Sequence, residues 1–340
     1  MASHVHAWGA ADYRSRVRGV IVREHGGPEV LRVEELELPS PGPGQARVRL
    51  DASGVNYLDV RQRTGDFKVT LPVVIGNEGA GAVEEVGPGV TDVRAGQKVG
   101  WIMAGGTYTT HAIVAADRLV PLPAGVDAKL AASVLMQGLT AHALATTVRP
   151  IESGETVLIH GVAGGLGGIL CEIAHLRGAR VIGTVTRGDK ADAARAVGAD
   201  DVIVRSDADF AVEAKRLTGG KGVDAVYDGM GRETFEQGFG ALRPLGTLVL
   251  FGQASGAVPH IDTHVLQQGG GRYLTRAAVG NHIAARDELL RRANELFAWI
   301  AKGAVHVRVE RMYGLADARR AHEDLGSRRT AGKLVLETQH

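Results

Sequence analysis

Residues 155–176 read Glu155-Thr156-Val157-Leu158-Ile159-His160-Gly161-Val162-Ala163-Gly164-Gly165-Leu166-Gly167-Gly168-Ile169-Leu170-Cys171-Glu172-Ile173-Ala174-His175-Leu176. A β-branched apolar run meets a glycine-dense turn and then becomes a helical pattern, which predicts a βα turn of the phosphate-binding kind. Glycine lets backbone N–H groups come close to a pyrophosphate, and the opening helix adds unsatisfied donors and a positive dipole end. Gly164 and Gly167 align with the last two glycines of the G-x-G-x-x-G spacing, while Val162 stands where the first belongs. Ala163, Gly164, Gly165, Leu166 and Gly167 are therefore the candidate diphosphate contacts. The helical pattern ends near Gly178, and residues 179–185 read as a second buried strand, completing one βαβ unit. A dinucleotide is the leading ligand; a structural turn without a ligand is the alternative.

Outward from this unit, a chain of 340 residues is too long for one typical core and predicts about two domains. Thirty-nine lysines and arginines balance 38 aspartates and glutamates, so no charge footprint points to nucleic acid or to an anionic membrane. A small-molecule partner is expected. The single cysteine, Cys171, can form neither an internal disulfide nor a thiolate zinc site, and reads as a buried thiol. No apolar run has the length of a membrane span and no signal-peptide core opens the chain, so a cytoplasmic protein is expected. Residues 1–17 read as an N-terminal extension.

From Arg18 to about Pro123 short alternating runs, 19–22, 46–50, 80–86 and 113–114, are separated by turn clusters such as Pro39-Ser40-Pro41-Gly42-Pro43-Gly44. This predicts a β-rich, partly barrel-like domain. From about Ala128 helices and strands alternate, with helical patterns at 128–148, 165–177, 190–197, 210–217 and 233–242. The strand patterns fall at 157–159, 181–185, 202–204, 225–227, 247–251 and 272–275. Such alternation predicts a doubly wound parallel α/β sheet. A long amphipathic helix at 286–302 and a helix-strand at 315–336 are expected to return to the first domain.

Six ordered motifs accompany this plan: Glu24-His25-Gly26-Gly27-Pro28-Glu29-Val30-Leu31, Gly54-Val55-Asn56-Tyr57-Leu58-Asp59, Gly76-Asn77-Glu78-Gly79-Ala80-Gly81, Gln137-Gly138-Leu139-Thr140-Ala141, Val226-Tyr227-Asp228-Gly229-Met230-Gly231 and Tyr273-Leu274-Thr275-Arg276. In them, and across nearly the whole chain, the sequence resembles the zinc-free quinone oxidoreductase (zeta-crystallin-like) branch of the medium-chain dehydrogenase/reductase superfamily. The resemblance implies a Rossmann domain, 138–276, inserted in a GroES-like catalytic domain, 18–137 and 277–340. In the zinc branch the matching stretches carry a cysteine, a histidine and a further ligand, where this chain has Asn56, Asn77 and Gln137. Neutral amides are poor zinc ligands, so a metal-free enzyme is expected.

Without a Lewis acid the site must position a nicotinamide against an acceptor that needs little electrophilic help, such as a quinone or an alkene conjugated to a carbonyl. The resemblance puts Asn56 and Thr140 at the nicotinamide as the catalytic pair; for Asn56 a turn-capping role is the alternative. Tyr57, Arg61, Phe67 and Tyr108 are the expected substrate-pocket residues. Phe67 stands where enoyl-thioester reductases of the family have a tyrosine read as a proton donor, and Arg61 reads first as a solvated helix face, with contact to a polar or anionic acceptor as the other reading. Residues 103–108, Met103-Ala104-Gly105-Gly106-Thr107-Tyr108, predict an open or mobile pocket rim.

NAD-specific folds place an acid at the end of the second strand, whereas a 2′-phosphate needs that acid absent and cations present. Here Thr186 takes the acid's place, with Arg187 and Lys190 following, so NADPH is the expected cofactor. Asp189 argues the other way unless it faces the helix dipole. By resemblance Arg205 replaces a tyrosine near the adenosine phosphate, Phe251, Gly252, Gln253, Thr275 and Arg276 lie at the nicotinamide and diphosphate, and Arg328 makes a late phosphate contact. The expected activity is quinone reduction. Reduction of enones, enals or enoyl thioesters is the alternative, and a non-catalytic NADPH-binding protein is the third. A homodimer is expected through the last strand of the nucleotide sheet.

Overall fold

The computed structural model describes residues 13–258, 260–327 and 330–339. Its strands run β1 (Tyr13–Val22), β2 (Arg32–Pro39), β3 (Gln45–Val55), β4 (Val73–Val74), β5 (Glu78–Val86), β6 (Lys98–Ile102), β7 (His111–Ala115) and β8 (Val120–Pro121). They continue as β9 (Thr156–His160), β10 (Arg180–Val185), β11 (Asp201–Val204), β12 (Val223–Asp228), β13 (Leu242–Leu250), β14 (Tyr273–Arg276), β15 (Val309–Gly314) and β16 (Lys333–Glu337). The helices used below are α1 (Tyr57–Thr64), α2 (Ala128–Ala143), α3 (Gly165–Leu176) and, near the end, a sixteen-residue helix, Arg286–Ala301. The chain divides into two compact units, the first up to Met136 and from Val309, the second Gln137–Arg308.

In the first unit a three-stranded sheet, β2-β1-β4, accompanies a seven-stranded one ordered β15-β16-β3-β5-β6-β8, with β7 paired to β3. Alternate residues of β3 point inward, so Ala46, Val48 and Leu50 meet Val83, Val99, Trp101 and Val114 in one core. Residues 13–17, expected in an extension, belong to β1 and pair with β2 from Tyr13 opposite Pro39 to Val17 opposite Leu36. β2 itself went unread in the sequence because Glu34, Glu35 and Glu37 give it no apolar face long enough to notice.

The second unit holds a six-stranded parallel sheet ordered β11-β10-β9-β12-β13-β14. This is the doubly wound α/β plan, with its topological switch between β9 and β12. Leu158, Ile182, Val226 and Leu248 lie on neighbouring strands and pack with Phe210 and Phe239 from the flanking helices. The sequence reading puts 277–308 with the first domain; in the structure this segment belongs to the second unit. Its ties explain why. Arg292 Nη1 lies 3.2 Å from His142 Nδ1 at the end of α2, His142 stacks on Trp299 with centroids 5.2 Å apart, and His306 N–H donates to Glu172 Oε2 of α3 at 2.8 Å. Among the described residues no helix is long and apolar enough to cross a membrane.

Candidate functional site

In the second unit β9 ends at His160, and the chain turns through Gly161 at φ 65 before α3 begins at Gly165. A left-handed residue at 161 supplies the tight turn one position before the fingerprint's first glycine, which leaves 162 free to carry a side chain. Val162 uses that freedom: a Cβ added at Gly183 of β10 would stand 2.4 Å from Val162 Cγ1. At Gly167 an added Cβ would meet Gly161 O at 2.4 Å and Val162 Cα at 2.8 Å, so only glycine lets α3 pack this closely on the turn. Gly164, Gly165 and Leu166 stay half-exposed while Ala163 and Gly167 are buried. Gly168 N–H donates to Gly164 O at 2.8 Å, so the N–H groups of residues 165–167 lie ahead of the intrahelical ladder. The turn therefore fits a diphosphate: half-exposed backbone N–H groups at a helix N-terminus.

At the end of β10, Thr186 is exposed and its Oγ1 accepts from Arg205 Nη2 at 3.2 Å. Arg205 Nη1 also lies 3.9 Å from Glu233 Oε2. Arg187 pairs with Asp189, whose carboxyl it holds below the usual range. Asp189 pairs with Arg187 and sits, as expected, in the first turn of the short helical segment Gly188–Lys190, which also carries Lys190. An exposed pair of this kind is worth little, so a phosphate can exchange with the Asp189 carboxylate at small cost.

The neighbouring strand ends are shaped for contact with one another. Asp228 accepts from Met230 N–H at 2.7 Å, Gly231 N–H at 3.0 Å and Thr234 Oγ1 at 2.9 Å, which fixes the Asp228-Gly229-Met230-Gly231 turn. A Cβ at Gly252 would stand 2.3 Å from Gly229 O, and one at Gly229 would lie 2.8 Å from the Phe251 ring. Arg276 Nη2 donates to Gln253 Oε1 at 2.9 Å, and Thr275 is half-buried beside it. His160 places Nδ1 2.8 Å from Thr184 Oγ1 and its ring edge-on to Phe210, and burial pushes its pKa down to about 3, so it is neutral. Thr140 lies half-buried on α2, and Gln137 faces Gly165, where a Cβ would stand 2.2 Å from its Oε1. Arg328 falls outside the described residues.

In the first unit a buried polar cluster surrounds the start of α1. Asn56 is the N-cap of α1, and its N–H donates to Asp59 Oδ2 at 2.8 Å as half of a capping box. Its Nδ2 donates to Gly54 O at 3.1 Å and to Glu78 Oε2 at 3.0 Å, and its Oδ1 accepts from Lys333 Nζ at 2.7 Å. Lys333 Nζ also donates to Glu78 Oε2 at 2.7 Å, in an ion pair whose side chains are 1% and 0% exposed, and Glu78 Oε1 accepts from Met136 N–H at 2.8 Å. Both amide hydrogens of Asn56 are therefore committed. Asn56 can accept a hydrogen bond from a ligand; it cannot donate one.

Asp59 is the hub of a second network. It accepts from Asn77 Nδ2 at 2.7 Å and from the Tyr108 hydroxyl at 3.0 Å; burial raises its pKa to about 6 against these bonds. Asn77 Nδ2 also donates to Gln62 Oε1 at 2.7 Å. Arg63 Nη1 lies 3.3 Å from His322 Nδ1, and a guanidinium only donates, so the neutral imidazole carries its hydrogen on Nε2, 3.1 Å from the Tyr108 oxygen. Tyr108 is fully buried inside this network, which corrects its expected place in the substrate pocket. Tyr57 and Phe67, in contrast, are each 40% exposed. Arg61 lays its guanidinium over the Phe67 ring at 5.7 Å and donates to Asp66 O at 3.1 Å; it pairs with no carboxylate among the described residues.

Sequence reasoning missed Lys333, Glu78, Asp59 and His322. Lys333 had a signal, a cation at the head of the otherwise apolar strand Lys333-Leu334-Val335-Leu336. Among the described residues no group of three or more histidine, cysteine, aspartate or glutamate side chains is placed to hold a metal ion.

Comparison with known proteins places these features in context. A family model described as an alcohol dehydrogenase GroES-like domain matches residues 42–124, and one described as a zinc-binding dehydrogenase matches residues 197–336. A quinone oxidoreductase of Pseudomonas aeruginosa is 38% identical over 92% of this chain and 97% of its own. A 2-haloacrylate reductase of a Burkholderia species is 37% identical over 95% and 99%. The solved structure of Escherichia coli quinone oxidoreductase in complex with NADPH superposes with a TM-score of 0.92 at 38% identity, covering 94% of this chain and 99% of that one.

Proposed function

The chain belongs to the quinone oxidoreductase family of the medium-chain dehydrogenase/reductases, and from that premise we propose that it reduces quinones with NADPH, without a metal. When bound, NADPH supplies the hydride. The chain's part is to hold and orient: the 161–167 turn receives the diphosphate, and the end of β10 receives the 2′-phosphate. The observation that carries the reading is that end of β10, where Thr186 stands in place of an acid with Arg205 bonded to it and Arg187 and Lys190 beside it. Asn56 contributes an acceptor only, so the reduced quinone oxygen takes its proton from water. Asn56 and Asn77 spend their amides on buried protein partners, which fits chemistry without zinc.

Removing one charge-assisted phosphate contact costs about 1.5–3 kcal/mol. Arg187→Ala is expected to weaken NADPH binding by about tenfold or more, since it also leaves the Asp189 carboxylate unpaired next to the phosphate; Lys190→Ala acts in the same direction. NADH binding should stay nearly unchanged. Titration by fluorescence separates the two cofactors, and equal weakening of both would refute phosphate reading by these residues.

A second reading, reduction of an anionic activated alkene, draws on Arg61, which pairs with no carboxylate among the described residues, and on the relative named for 2-haloacrylate. Competition of a small unsaturated carboxylate with a quinone for the wild type, lost in Arg61→Ala, would favour it; no competition would dismiss it.

The reading includes a cytoplasmic homodimer. β14 is the edge of its sheet, and Tyr273 on it and Leu245 next to it are 58% and 57% exposed, an apolar edge suited to pairing with its symmetry mate. Light scattering at micromolar concentration is expected to give a dimer mass, and a monomer mass would exclude the pairing. Cell fractionation checks the compartment; recovery outside the soluble cytoplasmic fraction would contradict it.

A further inference from the structure

Among the described residues two non-glycine residues adopt the left-handed conformation, Met103 at φ 59 and Leu245 at φ 60. Leu245 lies within β13, in the stretch where its register with β12 shifts, and its N–H donates to Gly270 O at 3.1 Å. Met103 stands elsewhere, directly after β6, and is followed by Gly105 and Gly106 at φ 75 and 62. The chain thus uses glycine for two left-handed positions of this loop and keeps a long apolar side chain at the third. That side chain is 41% exposed, so it contributes little to the core, and the loop is open, since a Cβ at Gly105 or Gly106 would meet nothing within 4 Å. A strained backbone position that presents apolar surface to solvent is not explained by folding stability.

Its position supplies the explanation. Met103 N–H donates to Asn77 O at 2.7 Å, and the Asn77 amide bonds to Asp59 and Gln62 of α1. In the ladder just before it, Ile102 pairs with Glu78, the partner of Asn56 and Lys333. We infer that Met103 is a substrate-contacting residue whose thioether side chain packs on the flat ring of the acceptor quinone and sets the preference for ring size. This inference rests on the quinone reading above. An unbranched, polarisable side chain suits aromatic faces of different extent, and burial of its apolar surface by the ring offsets the strain of its backbone.

The test compares Met103→Gly, which relaxes φ and removes the side chain, with Met103→Leu, which keeps an apolar side chain at the same strained position. Met103→Gly should melt at the wild-type temperature or above while raising KM about tenfold for a two-ring naphthoquinone, more than for a one-ring benzoquinone. NADPH binding should be unchanged, and Met103→Leu should stay within about threefold of wild type. A Met103→Gly protein with wild-type KM for both quinones would overturn the inference, as would equal losses for the two ring sizes. A wild-type protein that reduces neither quinone would instead refute the function on which the inference rests.

Discussion

Lys333→Met is expected to be the most damaging single substitution in the first unit. It leaves Glu78 as a buried, unpaired carboxylate and Asn56 Oδ1 without its donor, because Lys333 Nζ bonds to both at 2.7 Å. Breaking a buried pair from one side costs about 3–5 kcal/mol, whereas replacing both partners by neutral groups is far less harmful. Chemical denaturation should therefore show a large loss for Lys333→Met and a substantial recovery for Lys333→Met with Glu78→Gln. Activity is expected to part company with stability. The double variant lacks the cation that fixes the Asn56 amide, so kcat should remain at least about tenfold below wild type even where the fold is restored. Recovery of kcat together with stability would reduce the cluster to a packing role.

The second large effect concerns the acceptor. Hydride addition to a quinone leaves an oxyanion that water can protonate, but addition to an enoyl thioester leaves a carbanion that needs a placed acid. A positioned general acid contributes about 10²–10⁴-fold. Phe67 cannot supply one, and Asn56 has no free donor. Phe67→Tyr is expected to raise enoyl-thioester reduction about tenfold or more while leaving quinone reduction near its original rate. The Arg61 guanidinium, 5.7 Å from the Phe67 ring centroid, would favour the phenolate left after donation. Steady-state rates on both acceptors check this, and an equal change on both would show that residue 67 shapes the pocket without moving a proton.

The nucleotide-binding unit was legible because its signals are local: Val157 to Gly167 reads as strand, turn and helix within a dozen residues, and periodicity carried the rest of the sheet. The compensating left-handed Gly161 was not legible, since the fingerprint spacing directs attention to position 162. The polar cluster of the first unit was hidden for a different reason. Lys333 reaches Asn56 across 277 residues of sequence, and His322 reaches Tyr108 across 214, contacts that exist only once β16 lies antiparallel to β3 and the terminal helix-strand is folded back. Tyr108 looked like a rim residue because it follows a glycine-rich loop. The loop is indeed open at Gly105 and Gly106, yet the chain turns inward at Thr107 and buries the phenol against Asp59. The helix at 286–301 was misassigned because amphipathicity reports that a face is buried and not which domain buries it.

Hydride transfer from NADPH to a quinone by protein groups alone is the proposed reaction. Its most direct measurement follows the nicotinamide absorbance of the wild-type enzyme with a benzoquinone, then with an enoyl thioester, each with and without a strong zinc chelator and with NADH in place of NADPH. Quinone-dependent oxidation is expected to prefer NADPH, to be unchanged by the chelator and to exceed the enoyl-thioester rate; faster enoyl-thioester reduction, or activity abolished by the chelator and restored by zinc, would overturn metal-free quinone reduction.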